Sequence, residues 1–246
     1  MPQVHPIVSQ PSVTNLQDNI SLTKIDLLKK KVDIILEKKN LNRVVAKVGL
    51  VLDISGSMNR LYRNGTVQNV VERILAIASR FDDDGKLDMW MYDHRFRRLP
   101  SVTEIDFEDY INREILNKFS RKEMFGRNHE SPVMKDVISK YINEEPSNFP
   151  TFIVFISDGG VRSGKDMKNI IIESSKHPIF WQFIGIGKSN YGILKKLDTL
   201  SNRYVDNANF FELNDIDKIS DEELYDRLLN EFPMWISASK AKGILK

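Results

Sequence analysis

Near-continuous aliphatic runs constrain the fold of this chain more than any other feature. The run VVAKVGLVLDI, from Val44 to Ile54, and the run TFIVFIS, from Thr151 to Ser157, contain few polar side chains. Strands that are buried on both faces have this composition, because helices cover both sides of a parallel sheet. The sequence therefore predicts a sheet with helices on both of its faces.

Helical patterns alternate with the predicted strands along the chain. The segment TVQNVVERILAIASRF repeats apolar residues at intervals of three and four, which is the spacing of a helix with one buried face. A single amphipathic helix that begins at Asp221 is expected to close the chain. The alternation predicts a doubly wound α/β domain over residues 41–246, with a mostly parallel six-stranded sheet in the order 3-2-1-4-5-6 and one antiparallel edge strand.

The region before this domain has a different character. Residues 1–19 contain three prolines among polar residues and are expected to form a flexible tail. Residues 20–40 contain two short apolar runs on either side of Lys29–Lys31. This pattern favours an N-terminal extension built as a strand pair with a solvated turn, with a helix as the alternative.

Composition argues against several classes of protein. The chain of 246 residues has 36 basic and 34 acidic side chains and a net charge of +2, so it lacks the one-sided charge typical of nucleic-acid and membrane-surface binders. It contains no cysteine, which excludes disulfides, thiolate zinc sites and cysteine nucleophiles. Neither a secretory signal nor a run of ~20 apolar residues is apparent. We expect a soluble, cytoplasmic protein that binds neither nucleic acid nor membrane.

Oxygen-bearing side chains follow the two aliphatic strands. Asp53, Ser55 and Ser57 stand at alternate positions after the first strand, and Asp158 follows the second aliphatic run directly. In the predicted order these two strands are neighbours, and ligands bind where the strand order reverses. Carboxylate and hydroxyl oxygens suit Mg²⁺, Ca²⁺ or Mn²⁺. The sequence predicts a divalent-metal site here, unless Asp53 caps the following turn and the serines are ordinary loop residues.

The stretch VGLVLDISGSM resembles the DxSGS signature of von Willebrand factor type A (vWA) domains, which form a metal-ion-dependent adhesion site (MIDAS). The stretches FDDDGKLDMW, FWQFIGIG and YVDNANFFEL resemble the vWA domains of bacterial tellurium-resistance proteins of the TerF kind, and the likeness extends over about residues 20–246. The resemblance implies that Asp53, Ser55 and Ser57 form the first metal loop and that Asp158 supplies the aspartate of the third.

The second metal loop departs from the family's pattern. The family commonly has Gly-Gly-Thr there, with the threonine hydroxyl on the metal, whereas this chain has FGRNHE. Gly126 matches, Arg127 replaces a glycine, and Asn128 stands at the threonine position, where its carbonyl oxygen can still bind a hard cation. Arg127 would weaken metal affinity unless it points away or meets an anionic ligand. His129 and Glu130 could contact a partner, although exposed loop residues are the simpler interpretation.

These features favour binding over catalysis. The chain has no G-x-S-x-G nucleophile motif and no glycine-rich phosphate loop. We expect a non-catalytic protein-interaction module that uses Mg²⁺, or alternatively Ca²⁺ or Mn²⁺, to bind an acidic residue of a protein partner. The resemblance implies a role in tellurite resistance, stress response or a phage-related system. Two alternatives stay open: a Mg²⁺-dependent hydrolase of phosphate esters, and a degenerate vWA domain that no longer binds metal.

Overall fold

The structure is a computed structural model that describes residues 13–82, 84–120, 122–124, 126–161 and 163–246, with side chains described from residue 24 onward. The strands are β1 (Lys47–Asp53), β2 (Leu87–Tyr92), β3 (Phe96–Val102), β4 (Thr151–Ser157), β5 (Ile179–Ile186) and β6 (Ala208–Leu213). The helices are α1 (Val13–Lys38), α2 (Asn59–Arg63), α3 (Thr66–Phe81), α4 (Glu130–Ile138), α5 (Gly164–Ser174), α6 (Gly192–Asp198), α7 (Asp221–Leu228) and α8 (Phe232–Ala241).

In the part of the chain that the structure describes, the strands form one six-stranded sheet in the order β3-β2-β1-β4-β5-β6. This order confirms the prediction. β1 pairs in parallel with β2 and with β4, while β3 at the edge runs antiparallel to β2. Every residue of β4 and β5 is buried, as predicted for strands covered on both faces. The order reverses between β1 and β4, so their carboxyl ends border one crevice.

Apolar layers cover both faces of the sheet. The layer under α1, α3, α7 and α8 contains the rings of Phe152, Phe180 and Phe232, with centroids 4.9 Å apart for Phe152 and Phe232. The layer under α4, α5 and α6 contains Phe155 and Phe183, with centroids 5.3 Å apart. Phe152 and Phe155 are an odd number of positions apart on β4 and lie in opposite layers. This is expected because successive side chains of a strand point to opposite faces of the sheet.

Helix α1 corrects the prediction of an N-terminal strand pair. Residues 20–36 belong to one helix, and its buried side chains follow one another by three or four positions: Ile25, Leu28, Val32 and Ile35. Leu27 and Ile34 are 54% and 61% exposed. Because they are apolar although exposed, they extend the two apolar runs and hide the helical spacing of the buried residues. The prediction was wrong because these two exposed side chains made a helix resemble two short strands.

The same helix changes the expectation for the first residues. Residues 13–19 are helical, so the predicted tail is wrong for them, while residues 1–12 lie outside the described residues. α1 packs against α3 and α7, and Lys31 pairs with Asp221 at 2.7 Å. Neither α1 nor another helix in the described ranges is long and apolar enough to cross a membrane.

The C-terminal region contains two helices where the sequence predicted one. α7 ends at Leu228 and α8 begins at Phe232, with Pro233 in its first turn. Proline lacks an amide hydrogen and is tolerated only in the first turn of a helix. A continuous helix through Pro233 would lose one backbone hydrogen bond, and the chain instead turns to place Phe232 and Trp235 in the core.

We predict that α1 is part of the cooperative core. Ile25→Ala should lower the free energy of unfolding by about 2–4 kcal/mol, because Ile25 is fully buried and its truncation leaves a cavity. The matched control Ile34→Ala, at an exposed position of the same helix, should change it by less than about 0.5 kcal/mol. Urea unfolding followed by circular dichroism measures both. Equal effects of the two substitutions would contradict the packing of α1.

Candidate metal centre

Asp53 lies at the centre of the crevice, as the last residue of β1, and its side chain is fully buried. The amide of Ser55 donates a hydrogen bond to Asp53 Oδ1 over 2.7 Å. Asp53 Oδ2 accepts hydrogen bonds from Asn128 Nδ2 at 2.9 Å and from Ser157 Oγ at 3.2 Å, and Tyr92 donates from 3.4 Å. One carboxylate therefore joins β1, β2, β4 and the loop before α4.

The two serines after β1 present their hydroxyls side by side. Ser55 Oγ and Ser57 Oγ are 3.1 Å apart. Mg²⁺ holds oxygen ligands at about 2.0–2.1 Å in an octahedron, so neighbouring ligands on one ion lie about 3 Å from each other. Ser55 is buried whereas Ser57 is exposed. The spacing fits two ligands of one cation that has a protein side and a solvent side.

Asn128 brings an unpaired oxygen to the same place. Its amide nitrogen donates to Asp53 Oδ2 and also to the carbonyl oxygen of Gly159, both over 2.9 Å. These two acceptors fix the orientation of the amide group. The remaining atom, Asn128 Oδ1, is buried and accepts no hydrogen bond from the described residues. A buried carbonyl oxygen without a partner is costly, and a bound cation would be such a partner.

The loop that carries Asn128 is fixed against the turn between β2 and β3. The amide of Gly126 donates to Asp93 Oδ2 over 3.1 Å, and the amide of His129 donates to the Asp93 carbonyl over 2.9 Å. A Cβ atom on Gly126 would lie 2.2 Å from His94 Nδ1. A larger residue at this position would require the His94 or Asp93 side chain to move.

Asp158 completes the group from the end of β4. It follows Ser157 directly and is half-buried. Asp158 lines a cleft of about 310 Å³ together with Ser55, Ser57 and Asn128. The structure thus brings together all five predicted ligand residues, from three loops at one edge of the sheet.

Burial raises the pKa of both carboxylates of this site. Burial raises the pKa of Asp53 to about 7, an effect that hydrogen bonds from Ser55 and Ser157 oppose and the charge of Asp158 reinforces. Burial also raises the pKa of Asp158. Among the described residues, no cationic side chain forms an ion pair with either carboxylate. A hard divalent cation would supply the missing charge to this all-oxygen set of donors.

The three predicted partner-binding residues differ in accessibility. Arg127 and His129 are exposed, and Arg127 lines the cleft. Glu130 is fully buried, and its Oε2 accepts a hydrogen bond from Ser163 Oγ at 2.6 Å. The interpretation of Glu130 as an exposed loop residue is therefore wrong, because it begins α4 and ties that helix to the loop before α5.

Sequence reasoning missed three residues that contact Asp53. Ser157 and Tyr92 reach its carboxylate, and the Tyr62 hydroxyl donates to its carbonyl oxygen over 3.0 Å. The strand register places Tyr92 beside Asp53. Position at the carboxyl end of a neighbouring strand was the available signal for Tyr92 and Ser157, whereas no sequence pattern marks Tyr62.

The profile of the vWA-TerF-like family, the vWA found in the TerF C terminus, matches residues 45–245. The chain belongs to this family. The uncharacterized protein YcbR of Bacillus subtilis (strain 168) is 60% identical to this vWA chain over 225 residues, which is 92% of this chain and 91% of that protein. Helix α1 precedes the part that the family profile matches.

Solved structures share the fold at low sequence identity. Proximal thread matrix protein 1 from the mussel byssus superposes with a TM-score of 0.53 and 13% identity, over 80% of this chain and 47% of that one. The von Willebrand factor type A protein from Catenulispora acidiphila gives a TM-score of 0.51 and 13% identity, over 79% of this chain and 43% of that one. The vWA chain thus spans about half the length of these proteins.

We predict that metal-free protein loses stability as the pH rises from about 5 to 7. A carboxyl whose pKa is higher in the folded than in the unfolded state binds more protons when folded, so its contribution falls as the pH rises towards the folded value, by up to about 1.4 kcal/mol per pH unit. Asp53→Asn should flatten this dependence, because the pKa of Asp53 is raised to about 7. Urea unfolding in chelator at several pH values measures the slopes.

Asp226→Asn is the matched control for this experiment. Hydrogen bonds from Lys39 lower the pKa of Asp226, so it titrates below this range and its replacement should leave the slope unchanged. The same slope in wild type and Asp53→Asn would contradict the proposed electrostatics of the centre.

Proposed function

We propose that this vWA domain is a non-catalytic binding module that uses a divalent cation, Mg²⁺ by preference, to hold an acidic side chain of a protein partner. One observation carries the proposal. The buried carboxylate of Asp53 and its neighbour Asp158 lie beside two hydroxyls at ligand spacing, with no positive side chain paired to them in the described residues. This arrangement has the donors of a hard cation and lacks its charge.

The chain's own residues define how the ion would be held. Ser55, Ser57 and Asn128 offer neutral oxygens, while Asp53 and Asp158 supply the negative charge. An ion in such a set acts as an electrostatic anchor for an anionic ligand. A mussel byssus protein of the same fold has a zinc-occupied MIDAS motif, which supports divalent binding at this place. Mn²⁺ and Ca²⁺ are alternatives to Mg²⁺ for the same oxygen donors.

The surroundings favour an acidic partner. Arg127 is exposed on the cleft and, like the exposed His129, forms no ion pair within the described part of the chain. A carboxylate that completes the metal shell would therefore also meet a guanidinium, which strengthens a hydrogen bond through its charge. The replacement of the family's glycine by Arg127 then fits a site for anionic ligands, because a bound anion would lie close to both the guanidinium and the cation.

The biological setting rests on the family. Its description names the TerF C terminus, so we propose that the module acts in a tellurite-resistance, stress-response or phage-related system. In such a system the metal-dependent contact would join this chain to another protein.

Calorimetric titration of metal-stripped protein tests the ion site. We expect saturable binding of Mg²⁺, Mn²⁺ or Ca²⁺ to wild type, with Ser57→Ala weakening it about 10- to 100-fold. Asn128→Thr should retain binding, because a hydroxyl replaces the carbonyl oxygen, whereas Asn128→Leu should abolish it. Ser57 is exposed, so its truncation is expected to leave folding intact.

Ser189→Ala is the matched control, since Ser189 lines the same cleft without belonging to the proposed ligand set. It should bind as wild type does. Absence of heat for every ion with folded wild-type protein would contradict the proposal and leave a degenerate vWA domain as the conclusion.

A further inference from the structure

A second cleft adjoins the metal centre and has no assigned role. It has a volume of about 520 Å³ and shares Ser57, Asp158 and Ser189 with the metal cleft. Its other walls come from α2 and the start of α3, and from the loops that follow β5 and β6. The two clefts therefore open side by side at the carboxyl edge of the sheet, and one extended ligand can occupy both.

Two cations of this second cleft have no acidic partner among the described residues. Arg60 and Lys188 line it and are exposed, and neither forms an ion pair with an acid of the described residues. The cleft is also lined by Asp158, which belongs to the metal centre, and by Asp215 and Asp217. Asp215 pairs with Lys218 at 3.0 Å, and Asp217 accepts a hydrogen bond from the Thr66 hydroxyl.

The cleft also has an apolar lining. Ile186 and Ile216 are 5% and 1% exposed, and they line the cleft with the half-buried Leu61. Such a surface can contact the methylene groups of a ligand but cannot bind a charged group. The second cleft thus offers an apolar surface and two cations next to the metal centre.

We propose that the second cleft is an anchoring subsite for an acidic peptide segment that carries two carboxylates. One carboxylate binds at the metal centre, and the second pairs with Arg60 and Lys188 while the chain between them contacts Leu61 and Ile186. This inference rests on the proposed function, since the first carboxylate needs the ion. It adds a selectivity that the metal alone cannot provide, because any carboxylate can bind an ion but only a suitably spaced pair reaches both positions.

Simple carboxylates test the subsite without knowledge of the partner. The probes are the α,ω-dicarboxylates from glutarate to azelate and the monocarboxylates of equal length, added to the full chain loaded with Mn²⁺. Water-proton relaxation reports displacement of water from the ion. We expect at least one dicarboxylate to bind about three- to tenfold more tightly than its monocarboxylate, as for a partly exposed ion pair.

Charge-removing variants separate the subsite from the metal. Arg60→Gln with Lys188→Gln should lower the affinity of the preferred dicarboxylate to that of the monocarboxylate. The matched control combines Arg63→Gln and Lys196→Gln, because both residues are exposed and neither lines the cleft. This control should preserve the preference.

The outcomes distinguish failure of the inference from failure of the proposed function. If monocarboxylates bind in a Mn²⁺-dependent way but no dicarboxylate is preferred, the subsite is overturned and the proposed function stands. A preference that survives Arg60→Gln with Lys188→Gln also overturns it, because both carboxylates then bind elsewhere. If no carboxylate displaces water from bound Mn²⁺, the proposed function itself fails, and the subsite fails with it.

Discussion

The buried carboxylate of Asp53 is the interaction on which the rest of the site depends. It accepts hydrogen bonds from Ser55, Asn128 and Ser157, and each donor belongs to a different segment of the chain. These bonds fix the relative positions of three loops, which are otherwise free to vary at the edge of a sheet. The same burial makes the charge of Asp53 unfavourable until a positive group approaches. The Asp53 side chain thus both holds these segments together and favours a cation beside it.

The sheet order makes this arrangement possible. β1 and β4 are neighbours, and the chain continues from β1 to β2 on one side and from β4 to β5 on the other. The loops that follow β1 and β4 can therefore meet without a helix between them. Helices on both faces bury β4 and β5 completely, while the carboxyl edge of the sheet borders the two clefts. The two clefts at this edge share Asp158 and Ser57. The proposed ion site and the proposed subsite for a second carboxylate are therefore parts of one crevice.

The sequence predicted those elements whose burial is apparent in the composition of the segment itself. Strands buried on both faces record that burial in their composition, so β1, β4 and the convergence of Asp53 with Asp158 could be predicted. The N-terminal helix could not, because Leu27 and Ile34 are exposed on it. Burial of Glu130 depends on Ser163, which is 33 residues away. Such pairings arise only when distant loops meet, and a single sequence does not record them.

The second cleft illustrates the same limit. Arg60 and Lys188 are isolated cations in the sequence, and only the fold places both on a wall next to the metal centre. Their lack of acidic neighbours among the described residues is likewise a property of the folded chain. The proposed subsite therefore depends on the structure, whereas the proposed metal ligands were inferred from the sequence.

A crystal structure of the protein grown with Mn²⁺ is the most direct test of the ion site, since the anomalous scattering of Mn²⁺ distinguishes the ion from water and from protein atoms. The account predicts a peak about 2.2 Å from both Ser55 Oγ and Ser57 Oγ, with Asp53 and Asp158 around it. A well-ordered crevice without a peak, or a peak only at another part of the surface, would contradict the proposal that these carboxylates are neutralised by a bound cation.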